Sequence, residues 1–130
     1  MDVIYGKYRR WNNIIGWSLF VVSTMVYVFT LEPTVSFWDC GEFILSAFKL
    51  QVGHPPGAPL FIMMARGATL FAGGDTSKVA LTVNILSAIC SGFAIMFLFW
   101  TITHLVRKVF SNGSNLESKN IPAILASGII

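Results

Sequence analysis

The sequence predicts an all-α membrane protein with two complete transmembrane helices, an outer-face loop of interfacial helices and the start of a third span. Three observations carry that expectation. The 130 residues are 55% hydrophobic and 12% charged, with a mean hydropathy of +0.69, whereas soluble chains carry roughly 25% charged residues. Two apolar runs, Ile14 to Leu31 and Val79 to Val106, contain no Asp, Glu, Lys or Arg. Between them lies a segment that is also apolar but is broken by prolines and carries two acids.

Taken from Trp11 to Leu31, the first run gives a helix of about 21 residues, or roughly 31 Å, enough to cross a bilayer. Trp11 and Trp17 suit the headgroup belt, and Lys7, Arg9 and Arg10 just before them place the N-terminus in the cytoplasm. A cleaved signal peptide is the competing reading. The apolar stretch exceeds a signal core of about 7–15 residues and no small-residue cleavage site follows, so an uncleaved anchor is expected.

The second span is expected at residues 79–106. Asp75, Thr76 and Ser77 offer capping oxygens before it, and Arg107 and Lys108 anchor its far end. Ser87 with Ser91, and Ala88 with Gly92, form a strip of small residues suited to close helix packing, and Asn84 suits an interhelical hydrogen bond. Residues Ser111 to Lys119 read as a polar turn, and residues 121–130 as the opening of a third span. The chain therefore reads as the N-terminal part of a longer polytopic protein (a short protein complete in itself is the alternative), whose remaining helices would be its partners.

Residues 36–75 form the loop between the spans. Phe43 to Val52 and Ala58 to Ala72 are too short to cross, and His54-Pro55-Pro56-Gly57 keeps them from forming one rod. Two helices lying along the outer membrane face are expected. In the second, Phe61, Met64, Ala65, Ala68 and Phe71 or Ala72 recur at helical spacing, with Lys49 and Arg66 reaching toward water or phosphate.

The chemistry concentrates in this loop. Asp39 and Glu42 are three apart and share a helix face, just after a span, where unpaired acids are costly. Two plain readings compete with catalysis: Asp39 as an N-cap with Glu42 closing a capping box, or both acids simply solvating the membrane surface. His54 is a turn residue, a phosphate contact, a proton relay or a metal ligand. A metal site from Asp39, Glu42 and His54 has no familiar ligand spacing, so no metal and no cofactor is expected. Cys40 lacks a base partner for a nucleophilic role, and Cys40 with Cys90 makes no disulfide framework. The sequence holds no Walker or Gly-x-Ser-x-Gly motif. The net charge of +3 is too small and too divided for nucleic-acid binding.

The runs Trp38-Asp39-Cys40-Gly41-Glu42-Phe43-Ile44 and Val52-Gly53-His54-Pro55-Pro56-Gly57-Ala58-Pro59-Leu60 resemble the membrane glycosyltransferases of family 117, relatives of protein O-mannosyltransferases. The resemblance covers residues 5–106 and is nearest to bacterial members. It implies a GT-C architecture in a bacterial inner membrane, with the first loop periplasmic. It further implies an inverting transfer of a sugar such as mannose, from a polyprenyl-phosphate donor to a protein or glycan hydroxyl. Asp39 then takes the place of the general base. Glu42 orients Asp39 or meets the acceptor, and His54 and Arg66 contact the donor phosphate. Protein O-mannosyltransferases place their two acids side by side, whereas Cys40 and Gly41 intervene here. A transporter using Asp39 and Glu42, and a scaffold in which nothing reacts, are the other two functional readings.

Overall fold

The computed structural model describes residues 2–55, 57–110 and 118–129. Among these residues every regular element is helical. Helix α1 covers Asp2–Thr30, α2 Cys40–Lys49, α3 Pro59–Thr69, α4 Val79–Phe110 and α5 Ile121–Ala126. Short 3₁₀ turns follow α3 at Leu70–Ala72 and precede α4 and α5 at Thr76–Lys78 and Ser118–Asn120. The expected polar turn falls mostly on residues 111–117, outside the described residues.

α1 and α4 are long and apolar enough to cross a membrane, and little of either is buried inside the molecule. Both run past the expected limits. α1 takes in Lys7, Arg9 and Arg10, and α4 takes in Arg107 and Lys108. Arg and Lys are good helix formers, so a basic flank lengthens a helix instead of ending it. Where the sequence was expected to open a third span, the described residues form the six-residue helix α5 followed by turns at 127–129.

The described contacts divide the chain into two compact units: residues 1–25 with 91–130, and residues 26–90. In the first, small residues let aromatic side chains come in close. Gly16 lies under the Trp100 indole, and a Cβ on Gly92 would collide with Thr24 and Phe20. Phe20 stacks on Phe93 at 4.4 Å, and Trp17 meets Trp100 edge-on at 6.3 Å. Trp100 Nε1 donates to the Asn12 carbonyl at 3.3 Å. Tyr8, Phe99, Ile121, Ile124 and Leu125 form the core of this unit. Arg107 stacks over Tyr5 and Tyr8, 5.2 and 5.5 Å from their ring centres.

The strip expected on α4 divides lengthwise. Ala88 and Gly92 are buried, while Ser87 and Ser91 are exposed. Adjacent positions lie about 100° apart around a helix, so only one of the two rows faces its neighbour.

The second unit holds α2, α3 and the first turns of α4 around Ile44, Ala47, Ala65, Ala72, Val79, Ala80 and Val83. Along α3 and the turn after it, the buried positions are Ile62, Ala65, Thr69 and Ala72, with Phe61 half-buried, whereas Met64 and Phe71 are exposed. Alanines at 47, 65, 72 and 80 let the elements approach closely, and that packing leaves the bulkier side chains outside. Asp75 caps the turn into α4 as expected, accepting from the Ser77 amide at 3.0 Å and its hydroxyl at 2.6 Å. The Ser77 hydroxyl, with Lys78 at 3.0 Å, pulls the Asp75 carboxyl down to about 2.

Candidate functional site

The candidate site is assembled at the N-terminal end of α2, in residues 32–54 of the second unit. Chain leaving α1 is tied down first. Asn84, on α4, donates from Nδ2 to the carbonyls of Glu32 at 2.8 Å and Thr34 at 3.1 Å. Its partners are the loop backbone and not a neighbouring helix, as the sequence suggested. The Glu32 carboxylate meanwhile accepts from the Thr34 hydroxyl at 2.6 Å.

The next turn carries strain. Trp38 has φ of 69°, a left-handed conformation that costs a non-glycine residue about 1–2 kcal/mol. Phe37 and Trp38 are 94% and 93% exposed, so no contact within the described residues explains that conformation. Such strain concentrates at functional positions.

Asp39 follows at the N-cap of α2. Its carbonyl accepts the first helical bond from the Phe43 amide at 3.1 Å, but its side chain makes no capping bond. Its backbone is already helical, with φ −74° and ψ −2°, whereas a capping side chain needs an extended N-cap. The capping box is therefore not formed. Asp39 is left exposed, with no hydrogen-bond partner for its carboxylate among the described residues.

Glu42 turns elsewhere. One oxygen accepts from the His54 backbone N–H at 2.7 Å, and the other meets His54 Nδ1 at 2.8 Å. The backbone N–H, then the His54 ring, hold the Glu42 carboxyl below its ordinary value of 4.5. The same bond, the Glu42 charge and, more weakly, that of Asp39 raise His54 above 6.5. Both shifts favour the charged form of each partner.

Local backbone geometry delivers His54 to this position. α2 ends at Leu50, which is left-handed at φ 53°, and the Gln51 amide donates back to the Ser46 carbonyl at 2.9 Å. The chain reverses and Gly53 passes beside α2. A Cβ there would lie 3.1 Å from Glu42 Oε1 and 3.7 Å from Ser46 Oγ. After His54, the Gly57 amide donates to the His54 carbonyl at 2.9 Å, closing the turn into α3, which Pro59 opens. Phe43 meets both the His54 ring and Phe61 edge-on, each at 6.1 Å.

The structure thus brings Glu42 and His54 together, while the Asp39 carboxylate makes no hydrogen bond to either. Arg66 is not part of this group. Its Nη1 donates to the Phe48 carbonyl at 2.5 Å and its guanidinium lies over the Phe48 ring. Six residues separate Phe48 from Glu42, about 9 Å along the helix. Among the described residues no cluster of three His, Cys, Asp or Glu side chains is placed to hold a metal, and both cysteines are free. Sequence reasoning missed Trp38 and Gly53. Strain at Trp38 has no sequence signature, whereas a glycine directly before a histidine hints at close backbone passage.

Residues 39–130 match the family described as protein O-mannosyl-transferase TMEM260 N-terminal domain. The chain is 33% identical over 84 residues to the protein O-mannosyl-transferase tmem260 of Dictyostelium discoideum, covering 65% of this chain and 10% of that protein. To the mouse (Mus musculus) protein O-mannosyl-transferase TMEM260 it is 37% identical over 89 residues, covering 68% of this chain and 12% of that protein. It spans about a tenth of the length of these curated relatives. No solved structure matches it significantly. On the match over residues 39–130, the chain belongs to the family of the protein O-mannosyl-transferase TMEM260 N-terminal domain.

Proposed function

We propose that this chain supplies the catalytic first loop of a membrane-embedded, GT-C-type glycosyltransferase that moves mannose from a polyprenyl-phosphate donor to a protein hydroxyl. The observation that carries the reading is the free, exposed carboxylate of Asp39, held on a strained turn at the start of α2, the helix whose Glu42 grips His54. An acid already bonded as a cap would be a poorer base, because its lone pairs would be engaged.

In this reading Asp39 accepts the proton of the acceptor hydroxyl as that oxygen bonds to the anomeric carbon. The bond from that carbon to the donor phosphate oxygen breaks, its electron pair leaves with the lipid phosphate, and the anomeric centre inverts. The curated relatives are named protein O-mannosyl-transferases, which favours mannose and a protein acceptor. An open apolar cleft of about 340 Å³, lined by Cys40, Phe43, Phe61, Val83 and Asn84, offers room for the lipid's first isoprene units. Phe43 borders both the cleft and His54, so a tail in the cleft would bring its phosphate toward the histidine. Arg66, held at Phe48 toward the far end of α2, is not assigned to the phosphate that His54 would meet. Residues 32–54 lie between the two long helices, which suits the periplasmic face of a bacterial inner membrane with the N-terminus inside.

The test is Asp39→Asn in the full-length protein, with mannosyl transfer followed from a polyprenyl-phosphate mannose. A fall of about 10²–10⁴-fold in kcat is expected for loss of a general base. An unchanged rate would remove Asp39 from that role.

A further inference from the structure

We infer that Glu42 acts as a positioning residue for His54: it grips the histidine through Nδ1 and the backbone amide, so that Nε2–H is presented to a phosphate oxyanion on the Asp39 side of the turn. This deepens the reading above and rests on it for the phosphate's origin as the donor and leaving group.

The geometry is specific. A carboxylate has two oxygens, and both go to one residue, at 2.7 and 2.8 Å. Taking the backbone N–H as well as the ring nitrogen fixes the position of the histidine and the rotation of its ring together. Occupation of Nδ1 leaves Nε2 as the outward nitrogen, and it has no partner among the described residues. Three further features keep the ring in place. Phe43 packs edge-on against it, Gly53 admits the chain within van der Waals reach of Glu42, and the Gly57 amide ties the His54 carbonyl. The charged groups acting on His54 are Glu42 on α2 and, more weakly, Asp39 at its N-cap. The nearest basic side chain on α3, Arg66, is engaged at the other end of α2. A histidine that served only the turn would not need its ring nitrogen held. A second base would not have both oxygens engaged in hydrogen bonds.

The raised proton affinity of His54 supports this, because a protonated ring donates a charge-assisted bond. As pH rises through the His54 value, that bond to phosphate weakens. With Glu42→Gln the value falls back toward 6.5 and the weakening begins at lower pH.

The experiment uses the full-length protein in detergent with two readouts, binding of a short-chain polyprenyl phosphate and steady-state transfer from the corresponding mannosyl donor. In Glu42→Gln the alkaline limb of binding and of kcat/KM for the donor should move to lower pH. On that limb the donor KM should rise more than kcat falls, so that the loss reads as weaker donor binding. His54→Gln should bind the lipid phosphate weakly at every pH and lose the limb. Should Glu42→Gln fail to assemble, Gly53→Ala, which crowds Glu42 from the other side, is expected to give the same shift. A loss of kcat at every pH as deep as that of Asp39→Asn, with the limb unmoved, would make Glu42 a second base and overturn the inference. So would a wild-type profile in His54→Gln. His54-dependent lipid phosphate binding without mannosyl transfer would sink the sugar reading and leave this one standing. Absence of both would sink both.

Discussion

Glu42 and His54 are twelve residues apart, yet they form the best-defined polar contact of the loop, and its pH behaviour follows from the two shifts. Glu42 is lowered, so its contribution is present above 4.5 and lost as pH falls through its folded value. His54 is raised, so its contribution is complete below 6.5 and lost as pH rises through its higher folded value. The pair is therefore intact from below 4.5 to above 6.5. Hydrogen-exchange protection of the His54 amide should stay level across that range and fall toward the acid side, and a protection factor that ignored acid would contradict the pairing. Gly53→Ala should weaken the pair without unfolding α2, because the added Cβ presses on a side-chain oxygen 3.1 Å away and not on backbone. The proposed site residues Asp39, Glu42 and His54 stand out in the sequence as polar groups in an apolar loop. The pairing of Glu42 with His54 was not visible, because the chain reversal that delivers His54 follows a left-handed Leu50, which leucine does not advertise.

Helices were more legible than their faces. Hydropathy located the four main helices because apolar runs, prolines and glycines punctuate the chain clearly. It did not fix which residues of α3 point inward, since a helix that is apolar nearly all round has no strong stripe and its rotation is decided by its neighbours. That yields a contrast to measure. Ala65→Leu should overpack the cluster and destabilise the protein by about 1–3 kcal/mol. Met64→Ala, at an exposed position, should leave the thermal midpoint in detergent nearly unchanged. Equal effects from the two would contradict the buried face of α3 described above. On α4, Gly92→Leu drives a side chain into Phe20 and Thr24 and should lower the midpoint, by a comparable overpacking cost.

At the scale of the molecule, the proposed orientation makes the α2 end of the loop face the outside. Cys40, exposed at the first position of α2, reports on this. In a Cys90→Ser background, a membrane-impermeant maleimide added to intact cells should modify Cys40. Modification only after permeabilisation would reverse the topology. Segment order was legible from composition alone; what fastens the loop to its surroundings was not, because Asn84 takes backbone carbonyls as partners and any sequence supplies those. That fastening has a mechanical consequence. Asn84 rides on α4 and holds the peptide groups of Glu32 and Thr34, only a few residues ahead of Asp39. A tilt of α4 would drag this short tether, so movement of a membrane helix would be felt at the start of α2.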